Sequence, residues 1–349
     1  MKHFRWSIIV TLAGLGLAFW WGSQHGFGGQ TGMAAGFSAL FIASVLGVLE
    51  VSLSFDNAVV NAGVLKDMDE YWRKLFLTVG IIIAVFGMRL VFPIVIVAAT
   101  ASMGMIDVIN MALNNPKEYS AKLIEHHASI AAFGGIFLLL VFLNFVFDDD
   151  KDTHWLGAFE AKLGRLGKLD AISVGVALLV LFGLRYFVPE AEQVSVLVAG
   201  IAGIALYIGV DGLGALFEDE DAGEAAVETV KRSGLASFIY LEVLDASFSF
   251  DGVIGAFAIT NDVVIIMLGL AIGAMFVRSM TIFLVDKGTL DQYIFLEHGA
   301  HYAIGVLGLI MLAGAAGAHV PEVVTGLIGV AFIVVSVLHS ISYQKKHPA

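Results

Sequence analysis

Uncharged runs of about 17 to 25 residues recur along this chain, and each is long enough to cross the hydrocarbon core of a bilayer as a helix. No other feature restricts the fold as much. Only 14% of the 349 residues are charged and 58% are hydrophobic, against about 25% charged in ordinary globular domains. A soluble core has no use for that much apolar surface, so the chain reads as a single all-α polytopic membrane domain over 1–349. Ten transmembrane helices follow from the hydropathy, at about 7–22, 35–65, 75–99, 129–147, 169–188, 194–216, 234–260, 262–285, 301–318 and 322–342. No small-x-small cleavage site follows the first run, which makes it an uncleaved anchor.

The basic residues orient this threading. With the N-terminus in the cytoplasm, only Lys117, Lys122 and Arg185 fall outside, and Arg89 and Arg278 fall within the membrane. The remaining fourteen of the nineteen Lys and Arg residues lie in cytoplasmic loops and tails. That asymmetry predicts an even number of spans with both termini cytoplasmic. Ala101–Asn114 is the weak point of the threading, since its length suits a short re-entrant or interfacial helix. The clusters "FDDDKD" (Phe147–Asp152) and "FEDEDAGEAAVE" (Phe217–Glu228) read as solvated juxtamembrane loops. The net charge of −12 disfavours nucleic acid as a partner, because acidic surfaces repel phosphate backbones. The chain has no cysteine, which removes thiolate metal sites and disulfides.

One span carries polar residues where lipid should exclude them. In "LEVSLSFDNAVVNAG" (Leu49–Gly63), Glu50, Ser52, Ser54 and Asp56 alternate with Val51, Leu53 and Phe55. Alternation is a strand signature, but a lone strand in lipid leaves its backbone unpaired whereas a helix satisfies itself. On a helix, at about 100° per residue, Glu50, Ser54 and Asn57 share one face, while Asp56 and Ser52 lie roughly 120° away. A break around Ser54–Asn57 would bring Glu50 and Asp56 together, and the sequence predicts one there.

The stretch has a partner. "LEVLDASFSFDGVIGAFA" (Leu241–Ala258) repeats the acid-x-Ser-x-Ser-x-Asp frame from Asp245 to Asp251, and a matching break is expected near Ser249–Gly252. "VFGMRLVFPI" (Val85–Ile94) answers "IGAMFVRSMTIF" (Ile272–Phe283), with one arginine each, and "EHHASIAAFGGIFLLL" (Glu125–Leu140) answers "EHGAHYAIGVLGLIML" (Glu297–Leu312). Spans 2–4 thus match spans 7–9. An offset of five spans inverts one half against the other, the pattern of secondary transporters built from inverted repeats. The first repeat half covers 35–147 and the second 234–318. Between them lies a linker region at 148–233 with two spans and an acidic cytoplasmic loop; the final span and a basic tail occupy 319–349.

The intramembrane acids are Glu50, Asp56, Glu242, Asp245 and Asp251, facing two intramembrane arginines, Arg89 and Arg278. Each ionised carboxylate at the bilayer centre costs ~2.5–3.5 kcal/mol, so the excess requires protons, a bound cation, or both. Carboxylates, the Asn57 amide, serine hydroxyls such as Ser54 and Ser249, and backbone carbonyls are hard oxygen donors suited to Mg²⁺, Ca²⁺ or Mn²⁺. His126 and His298, at span ends, are proton-relay candidates; interfacial packing is the plainer account of both. Asn57 equally suits an interhelical hydrogen bond, and the many glycines suit close helix packing.

Glu50-x-x-x-Ser54-x-Asp56-Asn57 and Asp245-x-x-x-Ser249-x-Asp251 resemble the two signature motifs of the TerC (tellurium-resistance) family of integral membrane proteins. "YLEVLDASFSFDG" (Tyr240–Gly252) resembles the family's less-characterised bacterial branch more closely. The resemblance implies a divalent-metal exporter, most often of manganese, in a cation-exporter superfamily with inverted repeats. By position it implies that Glu50, Asp56, Asn57, Asp245 and Asp251 line the metal site. Gly252, where a serine is common, and the added Glu242 depart from the main pattern.

The expected function is therefore alternating-access export of a hard divalent cation, Mn²⁺ favoured, in exchange for protons. It is a transporter, not an enzyme, and uses no organic cofactor. Two other classes compete. An intramembrane aspartyl protease would pair Asp56 with Asp251 but needs neither the serine frame nor three further acids. A scaffold in a membrane metal or tellurite stress-response complex would dock through the loop at 217–228. The sequence is silent on oligomeric state.

Overall fold

Small residues at four-residue spacing decide how the helices of this chain meet. The structure, a computed structural model, describes residues 3–100, 103–149, 151–169, 171–218, 234–318 and 320–346. The chain begins with a helical hairpin, α1 (Arg5–His25) and α2 (Gly32–Leu53), joined by a tight turn in which Phe27 and Gln30 exchange backbone hydrogen bonds. Gly26, Gly28, Gly29 and Gly32 hold positive φ there, which only glycine adopts without strain. α2 buries Ala35, Ala39, Ala43, Gly47 and Glu50, a stripe of small residues that ends on an acid.

That stripe packs on α13 (Val263–Asp286) through Gly269 and Gly273, a Gly-x-x-x-Gly pair. A Cβ on Gly269 would lie 2.5 Å from Leu46 Cβ, and one on Gly273 would lie 2.4 Å from Glu50 Cβ. Lipid tails are as apolar as leucine, so close backbone approach of this kind is a main source of helix association in a bilayer. α13 starts where Asp262 accepts the N–H groups of Val264 and Ile265, and the same carboxylate accepts Trp21 Nε1 from α1 at 3.1 Å.

Ser54 ends α2 with φ −107° and ψ 19°, and α3 (Phe55–Asp67) starts immediately after it. Asp69 caps α4 (Glu70–Leu75), which runs into two π-helical segments, Phe76–Gly80 and Ile83–Val91, and then α5 (Phe92–Thr100). α6 (Met105–Asn114) and α7 (Pro116–Glu125) are short; at ~1.5 Å per residue α6 does not reach across a bilayer. α8 (His127–Phe147) and α15 (Leu296–Ala315) are the most enclosed of the long apolar helices described; α8 packs on α15 and on α11 (Gln193–Glu218). Between α8 and α11 come α9 (Ala158–Gly164), a 3₁₀ turn at Arg165–Lys168 and α10 (Ile172–Leu184). α12 (Gly234–Ile259) precedes α13; α14 (Thr289–Gln292) precedes α15; and α16 (Glu322–Lys346) closes the described chain.

The described residues form no strand. Among the described residues, seven helices are long and apolar enough to cross a membrane, or up to nine if each of two bent pairs counts as one span, with bends of 42° at Glu70–Ala98 and 99° at Ala158–Leu184. Large apolar side chains such as Leu12, Phe41, Leu179, Ile201, Leu327 and Leu338 are exposed. A water-soluble surface does not carry them in such number; a lipid-facing one does. This is a helical, multi-pass membrane protein.

Two expectations are corrected. The break falls in the first motif, at Ser54, but α12 runs unbroken through Ser249–Gly252. There Ser247 Oγ bonds back to the Val243 carbonyl and Ser249 Oγ lies 3.5 Å from Asp245 Oδ2, so both hydroxyls are used along a continuous helix. The predicted span at 35–65 is correspondingly two helices. The loop at 217–228 lies almost wholly outside the described residues.

Candidate functional site

Four elements bring the buried charges together. Glu50 ends the small-residue stripe of α2, Asn57 and Asn61 lie on α3, Arg89 lies on the second π-helical segment, and Glu242 and Asp245 lie on α12. All six are buried, Glu50 and Asn57 to 1% exposure. Glu50 fits because its neighbours lack side chains: Gly273 backs its stem, and Gly252 faces its carboxylate, where an added Cβ would lie 2.8 Å from Oε2. Gly252 is thus the room that Glu50 needs, rather than merely a missing serine.

Arg89 sits at the centre. Its Nη2 donates to Glu50 Oε1, its Nη1 lies 3.8 Å from Asp245 Oδ2, and Nη1 also donates to the Ala84 carbonyl at 2.6 Å. Asn57 Nδ2 donates to Asp245 Oδ1 at 2.9 Å, and Ser54 Oγ donates to Glu50 Oε1 at 3.3 Å. The pairing of Glu50, Ser54 and Asn57 on one face agrees with the helical reading of their spacing.

Asp56 turns the other way. Its Oδ1 accepts the Asn57 N–H at 3.0 Å, and its Oδ2 lies against Gly329 of α16, 3.5 Å from where a Cβ would be. The break at Ser54 therefore does not carry Asp56 to Glu50, because one disturbed turn leaves the azimuth of α3 nearly that of α2. Glu242 lies one turn before Asp245 and against Gly80 of the first π-helical segment. The side chain of Asp251 lies outside the described residues. Among those residues no three carboxylates or histidines converge closely enough to hold a metal ion.

Several polar atoms here have no hydrogen-bond partner among the described residues: Asn57 Oδ1, Asn61 Oδ1, both Glu242 carboxylate oxygens, Arg89 Nε and Arg278 Nε. Buried atoms of this kind point to water or a ligand. Asn61, Arg89, Asp245 and Arg278 line one cavity of about 40 Å³, room for a water or a small ion. Arg278 donates to the Leu77 carbonyl, and no acid of the described set lies within ion-pair distance of it. A second cavity, of about 230 Å³, opens beyond Gly252 and is lined by Leu53, His127, Gly314 and Thr325. Gly252 lines this cavity and Arg89, the partner of Glu50, lines the first.

Sequence reasoning missed Asn61, although its place one turn after Asn57 was visible, and it missed a separate buried cluster. Glu160 of α9 is fully buried; it pairs with Lys151 at 2.8 Å, accepts the Leu156 N–H at 3.0 Å and lies 3.4 Å from His298 Nε2. His298 thus packs among Glu160, the Thr153 carbonyl and the Phe145 and Phe295 rings, and His126 stands at the α7–α8 junction. Asp149 and Asp152 of the 147–152 cluster are exposed as expected, whereas Lys151 turns inward.

Burial alone would raise the Glu160 carboxyl, but the Lys151 ammonium and the Leu156 N–H hold it below its ordinary value of 4.5. A lowered folded pKa adds stability above the unfolded value, and that stability is lost as pH falls through the folded one. Acidification below about 4.5 should therefore lower the melting temperature of the native protein more than that of Glu160→Gln. Glu160→Ala, which strands Lys151 and the Leu156 N–H, should cost ~3–5 kcal/mol at neutral pH in detergent melts.

The fold and this site define a class: a multi-pass helical membrane protein with a cluster of ionisable side chains enclosed among its helices. Within that class the chain belongs to the family described as protein of unknown function (DUF475), whose model matches residues 55–347. It is also similar to the "Uncharacterized membrane protein YceF" of Bacillus subtilis (strain 168), 32% identical over 113 residues. That match takes in 32% of this chain and 43% of the relative, so the chain spans less than half of it. No solved structure matches the chain. Neither match names the TerC family.

Proposed function

We propose that the protein is a secondary transporter that exports a hard divalent cation, Mn²⁺ before Ca²⁺ or Mg²⁺, from the cytoplasm across a bacterial inner membrane. The observation that carries this reading is the cluster itself: Glu50 and Asp245 share a single arginine, while Glu242, Asn57 and Asn61 offer buried oxygens with no donor. Oxygens of this type suit a hard cation, and intramembrane ionisable groups are functional by default.

The helix pairings support an inverted repeat. α2 packs on α13 as α12 packs on the second π-helical segment, and α8 pairs with α15 across the middle. Exchanging the two proposed halves maps each pairing onto another. In this reading both termini are cytoplasmic, Asp251 joins the ligand set, protons are exchanged for the metal, and the two cavities, one lined by Arg89 and the other by Gly252, are the two halves of the path. The protease reading gains nothing from Asp56, which rests against Gly329.

Proteoliposomes holding the full chain should move Mn²⁺ in the direction opposite to the proton flow when a proton gradient is imposed, and Asp245→Asn should abolish the flux. If no divalent metal moves in vesicles, and deleting the gene leaves every divalent metal in the cell unchanged, the reading is wrong.

A further inference from the structure

We infer that Arg89 is a tethered counter-ion: its guanidinium occupies the acidic site between Glu50 and Asp245 in the ion-free state, and the substrate cation binds only by displacing it. The inference rests on the cation-transport reading and adds the device that regulates the same site.

Three observations carry it. First, the guanidinium stands where a cation bridging Glu50 and Asp245 would stand, bonded to one carboxylate and 3.8 Å from the other. An arginine serving only as a structural partner of these acids would hold both at hydrogen-bond distance in a fork; this one is hydrogen-bonded to one acid only and leaves Nε without a partner. Second, the helices packed around the arginine carry buried oxygens that it does not use. Asn57 Oδ1, Asn61 Oδ1 and the Glu242 carboxylate accept nothing among the described residues. With Arg89 in place they do not converge with Glu50 and Asp245 into a metal site; they are oxygens that a dehydrated divalent ion could draw in and that a guanidinium, a donor only, does not fill.

Third, the arginine sits on a segment able to move it. Arg89 lies in the π-helical run Ile83–Val91, and its Nη1 holds the Ala84 carbonyl five residues back. π-helical turns recur at functional sites, and tightening to α-helix shifts the register of everything beyond the turn. Such a shift draws the guanidinium away from the acids while the cavity of about 40 Å³ beside it admits the ion. Return of Arg89 expels the ion, so Glu50 and Asp245 face a cation in either state. Arg278 lines the same cavity but holds the Leu77 carbonyl, so it is not the displaced charge.

The test uses the purified full-length protein with Mn²⁺ as the probe, read by equilibrium binding, by the Mn²⁺-induced rise in melting temperature, and by flux in proteoliposomes. Arg89→Gln removes the competitor and should bind Mn²⁺ at least tenfold tighter, equivalent to ~1.4 kcal/mol, with a larger thermal shift and lost flux. Arg89→Lys keeps a charge but not the reach to both acids and should fall between native and Gln, which protects the test if the Gln variant folds poorly. Arg165→Gln, on the exposed 3₁₀ turn away from the cluster, should leave the affinity at the native level. Native-like or weaker binding by a folded Arg89→Gln variant would overturn the inference while leaving the transport reading intact. Failure of the native protein and every variant to bind Mn²⁺, Ca²⁺ or Mg²⁺ would overturn the transport reading itself.

Discussion

Gly273→Ala is expected to unseat Glu50 and to disable whatever passes through the cluster, although it adds only one methyl group. The new Cβ would lie 2.4 Å from Glu50 Cβ, 2.5 Å from Glu50 Cγ and 2.9 Å from the Gly47 carbonyl. None of these atoms is the loose end of a long side chain, so α2 and α13 must part. Overpacking of this kind costs ~1–3 kcal/mol, and here the displaced group is the acid that holds Arg89. The variant should therefore melt at a lower temperature in detergent and lose Mn²⁺-dependent stabilisation. Gly175→Ala on α10 is the control, because nothing lies within 4 Å of its Cβ position. Alanine's better helix propensity, worth up to ~1 kcal/mol, should leave that variant equal to or more stable than the native protein. Equal melting of Gly273→Ala and Gly175→Ala would show that the α2–α13 contact is looser than described.

Arg89→Ala is expected to be the most destabilising change to the charge cluster in the absence of metal. It strips Glu50 and Asp245 of the cation they share, and removing one partner of a buried ion pair typically costs ~3–5 kcal/mol. Adding Glu50→Gln removes one of the two orphaned charges and should recover part of the loss, with a coupling of ~0.5–3 kcal/mol as found for residues in direct contact. Melting of the two single variants and the double variant, in detergent with a chelator present, measures that coupling. Strictly additive losses would mean that the Glu50–Arg89 bond contributes nothing specific.

Much of the fold was legible because the bilayer leaves little choice. Each predicted span has a helix near it, and Glu50, Ser54 and Asn57 share the face that their spacing assigns. The break at Ser54 was legible from an acid and two hydroxyls crowded into one apolar run. Its absence at Ser249 was not, because the same frame tolerates a continuous helix when its hydroxyls bond along that helix, as Ser247 and Ser249 do. The cluster of Glu160, Lys151 and His298 was also hidden, since His298 reaches it from a distant part of the chain and Lys151 reads locally as one charge in an acidic loop.

The sequence by itself determined that this chain is helical, that it crosses a membrane repeatedly, and that it places more acids than bases among its spans. Composition and periodicity suffice for that, because a polar backbone in lipid must satisfy its own hydrogen bonds. Only the tertiary structure decided which acids meet. Glu50 and Asp245 are 195 residues apart in the chain and are brought to one arginine by glycines on α12 and α13 whose value lies in the side chains they lack. Asp56, six residues from Glu50, is kept out by the pitch of a helix. Distance along the chain said nothing about either, because interhelical packing, not sequence proximity, fixes where a buried charge finds its partner.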